Sequence, residues 1–208
     1  MTLADPAPDD YRAAIDYLTA LDADWARHIA AVGPCLHQAK PAQEPYEALV
    51  RAIAYQQLHG RAAEAILGRM LALFPEVAFP RPEQLLAVEP QTLRACGFSA
   101  SKLATIQGIA QARLEGRVPS RAEALVMDDE ALIERLVALR GVGRWTVEML
   151  LIYCLERPDI LPVDDFGVRA GYRRLKGLDK APTPAQLRAL GMAWSPFRTV
   201  AAWYLWRA

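Results

Sequence analysis

Long apolar runs, secretion signals and a cysteine framework are all missing from this 208-residue sequence. No stretch approaches the roughly 20 consecutive apolar residues that span a bilayer, so we expect no membrane segment. The N-terminus, MTLADPAPDD, lacks the basic start and apolar stretch of a secretory signal, which predicts a cytoplasmic protein. The three cysteines (Cys35, Cys96 and Cys154) are odd in number and widely spaced, which indicates buried thiols rather than disulfides or a zinc site.

A net charge is also missing, because 24 lysines and arginines balance 24 aspartates and glutamates. No global positive field therefore indicates a nucleic-acid partner. The balance is uneven along the chain: residues 95–208 carry 16 basic and 12 acidic side chains, whereas residues 1–94 carry 8 and 12. The C-terminal half is the more basic one.

Strand-like alternation of β-branched and aromatic residues is absent, and apolar residues recur at three- and four-residue spacing instead. This pattern predicts an all-α fold, with prolines at the junctions between helices. The predicted helices are 9–32, 45–58, 60–73, 82–88, 90–95, 100–115, 121–126, 129–139, 143–156, 165–176, 183–192 and 195–207.

The sequence LRGVGRWT at 139–146 predicts a tight hairpin between two helices. Glycine at positions 141 and 143 permits positive φ and lets another backbone approach closely, and the following helix start presents backbone amides. Such a turn can hold a DNA phosphate without reading the base sequence. Taken alone, the same turn is more often a simple connection between packed helices.

An aspartate pair precedes the next helix in LPVDDFGVRAGYRRL. Asp164 or Asp165 is the predicted N-cap, and capping alone explains many such aspartates. A carboxylate fixed in this way can also stabilise an oxocarbenium-like sugar or orient water during glycosidic cleavage. Chemistry by itself does not choose between the two residues.

In combination, LRGVGRWT and LPVDDFGV resemble the signature of the helix-hairpin-helix DNA glycosylase superfamily. The alkylation-repair branch of that superfamily matches Asp165 through the following Phe-Gly-Val-Arg, and so implies that Asp165 is the catalytic carboxylate and Asp164 a supporting residue. The Pro-x-Asp spacing of the oxidised-guanine branch would select Asp164 instead.

Trp145 stands where bifunctional members of the superfamily carry a nucleophilic lysine. The resemblance therefore implies a monofunctional enzyme that uses water and has no lyase step. A tryptophan here is similar to the bacterial 3-methyladenine DNA glycosylase II family, in a compact form without that family's N-terminal β-rich domain. The implied activity is excision of N-alkylated purines such as 3-methyladenine during base excision repair.

Further blocks carry the resemblance over about residues 45–206. RAIAYQQLHGRAA at 51–63 implies a pocket role for Gln56, a wedge at Gln57 or Leu58 that fills the gap left by a flipped base, and a DNA contact at His59. In the last block, WSPFRTVAAWYLW, Trp206 takes the position of a pocket tryptophan. The pocket tyrosine that follows the hairpin tryptophan in the family is Met149 here.

The hairpin itself supplies the remaining DNA contacts that the resemblance implies, which are Gly141, Val142, Gly143, Arg144 and Thr146. It also implies a monovalent cation, Na or K, on the backbone carbonyls of Val137, Leu139 and Val142. We expect no other cofactor.

We therefore expect two helical subdomains that flank a DNA-binding cleft. One combines about 1–41 with 155–208, and the other comprises about 42–154 and contains the hairpin. The expected partner is double-stranded DNA with damaged bases, bound by a monomer. Two other functions fit the motifs: a glycosylase for an oxidised or mismatched base, and a non-catalytic DNA-binding module of the same fold.

Overall fold

The computed structural model describes residues 11–38, 43–56, 58 and 60–208, and all regular secondary structure within them is helical. The α-helices are α1 (Arg12–Thr19), α2 (Ala23–Val32), α3 (Pro45–Tyr55), α4 (Gly60–Leu71), α5 (Pro82–Ala87), α6 (Pro90–Ala95), α7 (Ala100–Leu114), α8 (Arg121–Val126), α9 (Asp129–Val137), α10 (Arg144–Tyr153), α11 (Phe166–Leu175), α12 (Pro184–Leu190) and α13 (Arg198–Leu205). A 3₁₀ helix, Gly191–Trp194, lies between α12 and α13. The prediction of an all-α fold is confirmed.

The single helix predicted over 9–32 is wrong, because the described part of this segment forms two helices that are separated at Asp22. Asp22 has an extended backbone, and its carboxylate accepts hydrogen bonds from the backbone N–H groups of Asp24 and Trp25 at 3.0 and 3.1 Å. An aspartate that bonds its own neighbouring amides in this way competes with continuation of the helix. The apolar spacing persists across the break, which is why periodicity alone missed it.

Most other helices begin at the residues that the sequence predicts. Ser99, Ser120, Asp128 and Thr183 are N-caps whose side-chain oxygens accept backbone N–H groups two or three residues further on. Proline begins α3, α5, α6 and α12, where its missing N–H costs no hydrogen bond.

The described chain divides into two compact units, one formed from Met1–Ala39 with Glu156–Ala208 and the other from Lys40–Leu155. In the first unit, the buried Trp25 and Trp194 meet edge to face with ring centroids 5.5 Å apart. Together with the buried Trp203, they form part of the core of this unit.

The second unit is built around α3 and α7. Leu49 and Ile53 of α3 and Ile106 and Ile109 of α7 are each almost completely buried. Helix α3 also packs against α4 and α10, α5 and α6 pack against α7, and α9 packs against α10. The hairpin is thus attached to the centre of this unit through α10.

In the first unit, α11 and α13 approach each other at backbone distance beside Gly171. A Cβ atom on Gly171 would lie 1.8 Å from the carbonyl oxygen of Leu205 and 2.6 Å from its carbonyl carbon. Only glycine permits this approach. Because Trp206 directly follows Leu205, the contact also fixes the start of the segment that carries the predicted pocket tryptophan.

Among the described residues, none of the helices combines the length and the apolar composition that crossing a bilayer requires.

Candidate active site and DNA-binding hairpin

Asp165 is the N-cap of α11. Its backbone is extended (φ −66°, ψ 125°), and its Oδ1 accepts the backbone N–H of Val168 at 2.8 Å. A turn that is closed by the Asp165 N–H and the Pro162 carbonyl, at 3.0 Å, leads into this position. The geometry therefore makes Asp165 the capping residue, whereas Asp164 is exposed.

Trp206 contacts the same carboxylate. Its indole Nε1–H donates a hydrogen bond to Asp165 Oδ1 at 2.9 Å, although the two residues lie 41 positions apart. Trp206 is half-buried at the end of α13. Two donors, the amide of Val168 and the indole of Trp206, thus hold one carboxylate oxygen. Hydrogen bonds to a carboxylate are stronger than those between neutral groups.

Gly167 makes room for this pair. A Cβ atom at position 167 would lie 2.9 Å from Trp206 Cδ1 and 3.1 Å from Asp165 Oδ1. Any side chain there would press on both members of the hydrogen bond. Sequence reasoning missed this role, although the glycine two residues after the aspartate was the available signal.

The predicted hairpin is present between α9 and α10. The backbone N–H of Val142 donates to the Leu139 carbonyl at 3.1 Å, which closes the turn. Gly143 is the N-cap of α10 and accepts the N–H groups of Thr146 and Val147 at 3.0 and 3.3 Å. Because glycine has no side chain, position 143 offers no side-chain acceptor to the backbone N–H groups at the start of α10.

The two hairpin glycines serve different purposes. Gly141 has φ +82°, and a Cβ atom there would lie 2.3 Å from Thr105 Oγ1 of α7. Gly143 has φ −93°, and a Cβ atom there would have no atom within 4 Å. Gly141 thus permits the turn and its packing inside the unit, whereas position 143 opens onto free space that a ligand can occupy.

Arg144, a predicted DNA contact, binds two carboxylates within the protein. Its guanidinium donates to both oxygens of Glu130, at 2.9 and 2.5 Å, and to Glu148 Oε1 at 3.0 Å. The side chain of Glu148 is only 3% exposed. These hydrogen bonds, chiefly those to Glu130, raise the pKa of Arg144. The arginine joins α9 to α10 across the hairpin, and its contact with DNA stays a prediction.

Trp145 and Met149 lie one helical turn apart on α10. Trp145 is 39% exposed and Met149 is half-buried. Residues four apart on a helix lie on the same side. The hairpin helix therefore presents an aromatic ring and a flexible thioether on one face, and the role of both in a base pocket stays a prediction.

Gln56 lies where α3 ends. It is the C-cap, and its side-chain Nε2 donates to Thr146 Oγ1 of α10 at 3.3 Å. Leu58, the alternative wedge, is 40% exposed. Gln57 and His59 lie outside the described residues. The structure thus brings Gln56 and Thr146 together, whereas the wedge and the His59 contact stay predictions.

The carbonyl oxygens proposed for a monovalent cation belong to the end of α9 and to the turn after it. Val137 is the last residue of α9, and the Leu139 carbonyl accepts the Val142 N–H while retaining a second lone pair. The carbonyl end of a helix carries partial negative charge, which suits a cation. The donor set fits the ion that the resemblance implies.

Residues 50–196 match the HhH-GPD superfamily of base excision DNA repair proteins. The chain belongs to this superfamily. The match includes both the hairpin and the aspartate segment, so the resemblance predicted from these two motifs is confirmed.

Several proteins similar to this HhH-GPD chain are named 3-methyladenine DNA glycosylases. It is 44% identical over 192 residues to DNA-3-methyladenine glycosylase 1 of Schizosaccharomyces pombe, and the aligned residues cover 92% of this chain and 84% of the relative. It is 31% identical over 172 residues to DNA-3-methyladenine glycosylase 2 of Escherichia coli, and the aligned residues cover 78% of this chain and 57% of the relative. The structure of the Schizosaccharomyces pombe 3-methyladenine DNA glycosylase in complex with abasic DNA matches with a TM-score of 0.86 and 43% identity, covering 94% of this chain and 95% of that one.

Proposed function

We propose that the protein is a monofunctional DNA glycosylase that excises N-alkylated purines such as 3-methyladenine from double-stranded DNA and acts as a monomer. The observation that carries this proposal is the placement of Asp165, whose carboxylate oxygen is held by the Val168 amide and the Trp206 indole. The family and the names of its relatives support the same activity.

The chemistry assigned to Asp165 is electrostatic. Cleavage of an N-glycosidic bond develops positive charge on the sugar, and a fixed carboxylate stabilises that charge without having to reorganise. The bond between C1′ and the base nitrogen breaks, and the cationic purine takes the bonding pair and leaves as a neutral base. Water then forms the new bond to C1′ and gives up a proton to the solvent, so that an abasic site remains. The two hydrogen bonds on Oδ1 keep the carboxylate in one orientation during this step.

The proposed substrate class follows from the charge of the lesion. An N-alkylated purine such as 3-methyladenine is cationic, so it is a good leaving group and is attracted to aromatic faces by about 0.5 to 2 kcal/mol. Trp145 offers such a face at the start of α10, with Met149 beside it. We assign the same stacking role to Trp206, whose indole N–H also donates the hydrogen bond to Asp165.

The hairpin is assigned to the DNA backbone. The amides at the start of α10, including those of Arg144 and Trp145, would bind a phosphate oxygen next to the open space at Gly143. Carbonyls of Val137, Leu139 and Val142 would hold a monovalent cation, which when bound adds positive charge beside the phosphate. Leu58 or Gln57 would fill the gap left by the flipped base.

The wild-type protein should release free base from duplexes that carry 3-methyladenine or another N-alkylated purine, and leave the strand intact until alkali is added. Borohydride should trap no covalent adduct, because Trp145 replaces the nucleophilic lysine. Two lysines of the described residues are bound to other groups: Lys102 donates to two backbone carbonyls, and Lys176 binds Asp22 and Asp24. We therefore expect neither to replace the missing nucleophile. A panel of single-lesion duplexes measures the released base, and gel electrophoresis measures strand cleavage.

Release from oxidised or mismatched duplexes alone would contradict the assigned substrate class. A borohydride adduct at stoichiometric yield would contradict the monofunctional mechanism. Binding to all duplexes without release of any base would favour the non-catalytic module.

Gly143→Asp should weaken binding to damaged and undamaged duplexes alike by about tenfold or more, because a carboxylate would face the phosphate. The fold should persist, since a side chain at 143 meets open space and aspartate is a better N-cap than glycine. Fluorescence anisotropy measures the affinity, and thermal unfolding measures the stability.

Gly143→Asn is the matched control, because it has the same shape and capping ability without the charge. We expect the asparagine variant to bind more tightly than the aspartate variant. Equal affinities of the two would mean that no phosphate lies at the start of α10.

A further inference from the structure

Lys102 of α7 binds the end of α3. Its ammonium donates to the carbonyl oxygen of Ala54 at 2.9 Å and to that of Gln56 at 2.6 Å. The last four carbonyls of a helix have no partner within it, and they carry partial negative charge. One cation thus satisfies two carbonyls, on either side of Tyr55, where the chain leaves the helix.

This contact comes with a desolvation cost. Burial lowers the pKa of Lys102, since the charged form loses part of its hydration. A hydrogen bond from an ammonium to a backbone carbonyl is charge-assisted and offsets part of that loss. Because it donates to two carbonyls, a lysine in this position restricts the backbone conformation at the end of α3. An apolar residue of the same length would make neither hydrogen bond.

Gln56 is held from a second direction. Its side chain donates to Thr146, which is 2% exposed on the first turn of the hairpin helix. The backbone of Gln56 is therefore attached to α7 and its side chain to α10. Both attachments lie within the second unit.

The same stretch of α7 also contacts the hairpin turn. Thr105 follows Lys102 by three residues and so lies on the same side of the helix. It packs so closely on Gly141 that a Cβ atom there would lie 2.3 Å from its Oγ1. One face of α7 thus contacts both the end of α3 and the turn between α9 and α10.

We propose that Lys102 is a positioning residue for base extrusion: it holds the end of α3, and with it Gln56 and the wedge segment that follows, in register with the hairpin. This proposal rests on the proposed glycosylase function. Lys102 contacts neither the sugar nor the base in this role, and acts through the backbone of Gln56.

Lys102→Met tests the proposal, because methionine keeps an apolar stem of similar size and removes the ammonium. Under single-turnover conditions with saturating enzyme, the rate constant of base release should fall roughly 10- to 100-fold, as expected for the loss of charge-assisted hydrogen bonds. Affinity for a duplex with a tetrahydrofuran abasic analogue should change less than about threefold, because no base needs to be extruded there. Fluorescence of a 2-aminopurine placed opposite the lesion should report reduced extrusion.

Two variants complete the design. Lys102→Arg keeps a charged donor and should restore most of the rate, whereas Lys180→Met makes the same change at an exposed lysine and should leave the rate unchanged. If Lys102→Met does not fold, Lys102→Gln removes the charge while keeping a donor, and is measured in the same assays.

A wild-type rate of base release in a folded Lys102→Met protein would overturn the proposal. So would a loss of affinity for the abasic analogue as large as the loss of rate, because it would indicate general damage to the DNA-binding surface. A readout without DNA separates this test from the proposed function. The Gln56 side-chain amide resonance should shift in Lys102→Met but not in Lys180→Met, even if the wild type releases none of the lesions in the panel. An unshifted Gln56 resonance would also overturn the proposal.

Discussion

Asp165→Asn should reduce the rate of base release by two to three orders of magnitude, which corresponds to about 3 to 4 kcal/mol of transition-state stabilisation. Asparagine has the same shape but no charge, so it cannot stabilise the cationic sugar. Its side-chain oxygen can still accept the Val168 amide and the Trp206 indole, and asparagine is as good an N-cap as aspartate. The start of α11 and the affinity for DNA should therefore be retained.

Single-turnover release of 3-methyladenine measures the rate, and anisotropy with an abasic analogue measures the affinity. Asp164→Asn is the control, because it makes the same change at the adjacent exposed aspartate. Loss of activity in Asp164→Asn together with a normal rate in Asp165→Asn would move the catalytic role by one residue. Loss of DNA affinity in Asp165→Asn would mean that the residue acts in binding.

Gly171→Ala should lower the free energy of unfolding by about 3 kcal/mol and the melting temperature by roughly 6 to 12 °C. The added methyl group would overlap the Leu205 carbonyl, which is backbone and cannot rotate away. Helices α11 and α13 would have to separate. Because α11 carries Asp165 at its start and α13 leads into Trp206, the rate of base release should fall as well.

Thermal unfolding followed by circular dichroism measures the change. Gly108→Ala is the matched control: Gly108 also lies within a helix, α7, but a Cβ atom there has no atom within 4 Å. Alanine should stabilise that position by about 0.5 to 1 kcal/mol through its higher helix propensity. A Gly171→Ala protein that melts like the wild type would show that the two helices do not approach at backbone distance.

Local signals predicted most of the fold. Apolar spacing identified the helices, while capping side chains and prolines identified many of their starts. The break at Asp22 was missed because it depends on a competition between a side-chain cap and the helix, and the apolar spacing does not record that competition. The 3₁₀ helix at Gly191–Trp194 was missed for a similar reason, since its apolar residues continue the spacing of α12.

The candidate site was predictable in its parts but not in its contacts. The motif comparison selected Asp165 and Trp206 without indicating that the indole would bind the carboxylate. Nothing local to Lys102 indicates that its partners lie 46 and 48 residues earlier in the chain. Hydrogen bonds between residues so far apart in sequence depend on how helices pack, and periodicity within one helix carries no information about that.

The pairing of Arg144 affects how the hairpin would respond to ionic strength. The Arg144 guanidinium is bound by two carboxylates, those of Glu130 and Glu148. These three side chains together therefore bring no excess positive charge to DNA. A protein cation that neutralises a DNA phosphate releases counterions. For each such phosphate, the logarithm of the binding constant falls by about 0.9 for every tenfold increase in salt concentration. If the hairpin binds a phosphate through neutral amides, as proposed, this contact should release few counterions, and its contribution to the affinity should depend less on salt than a contact made by lysine or arginine.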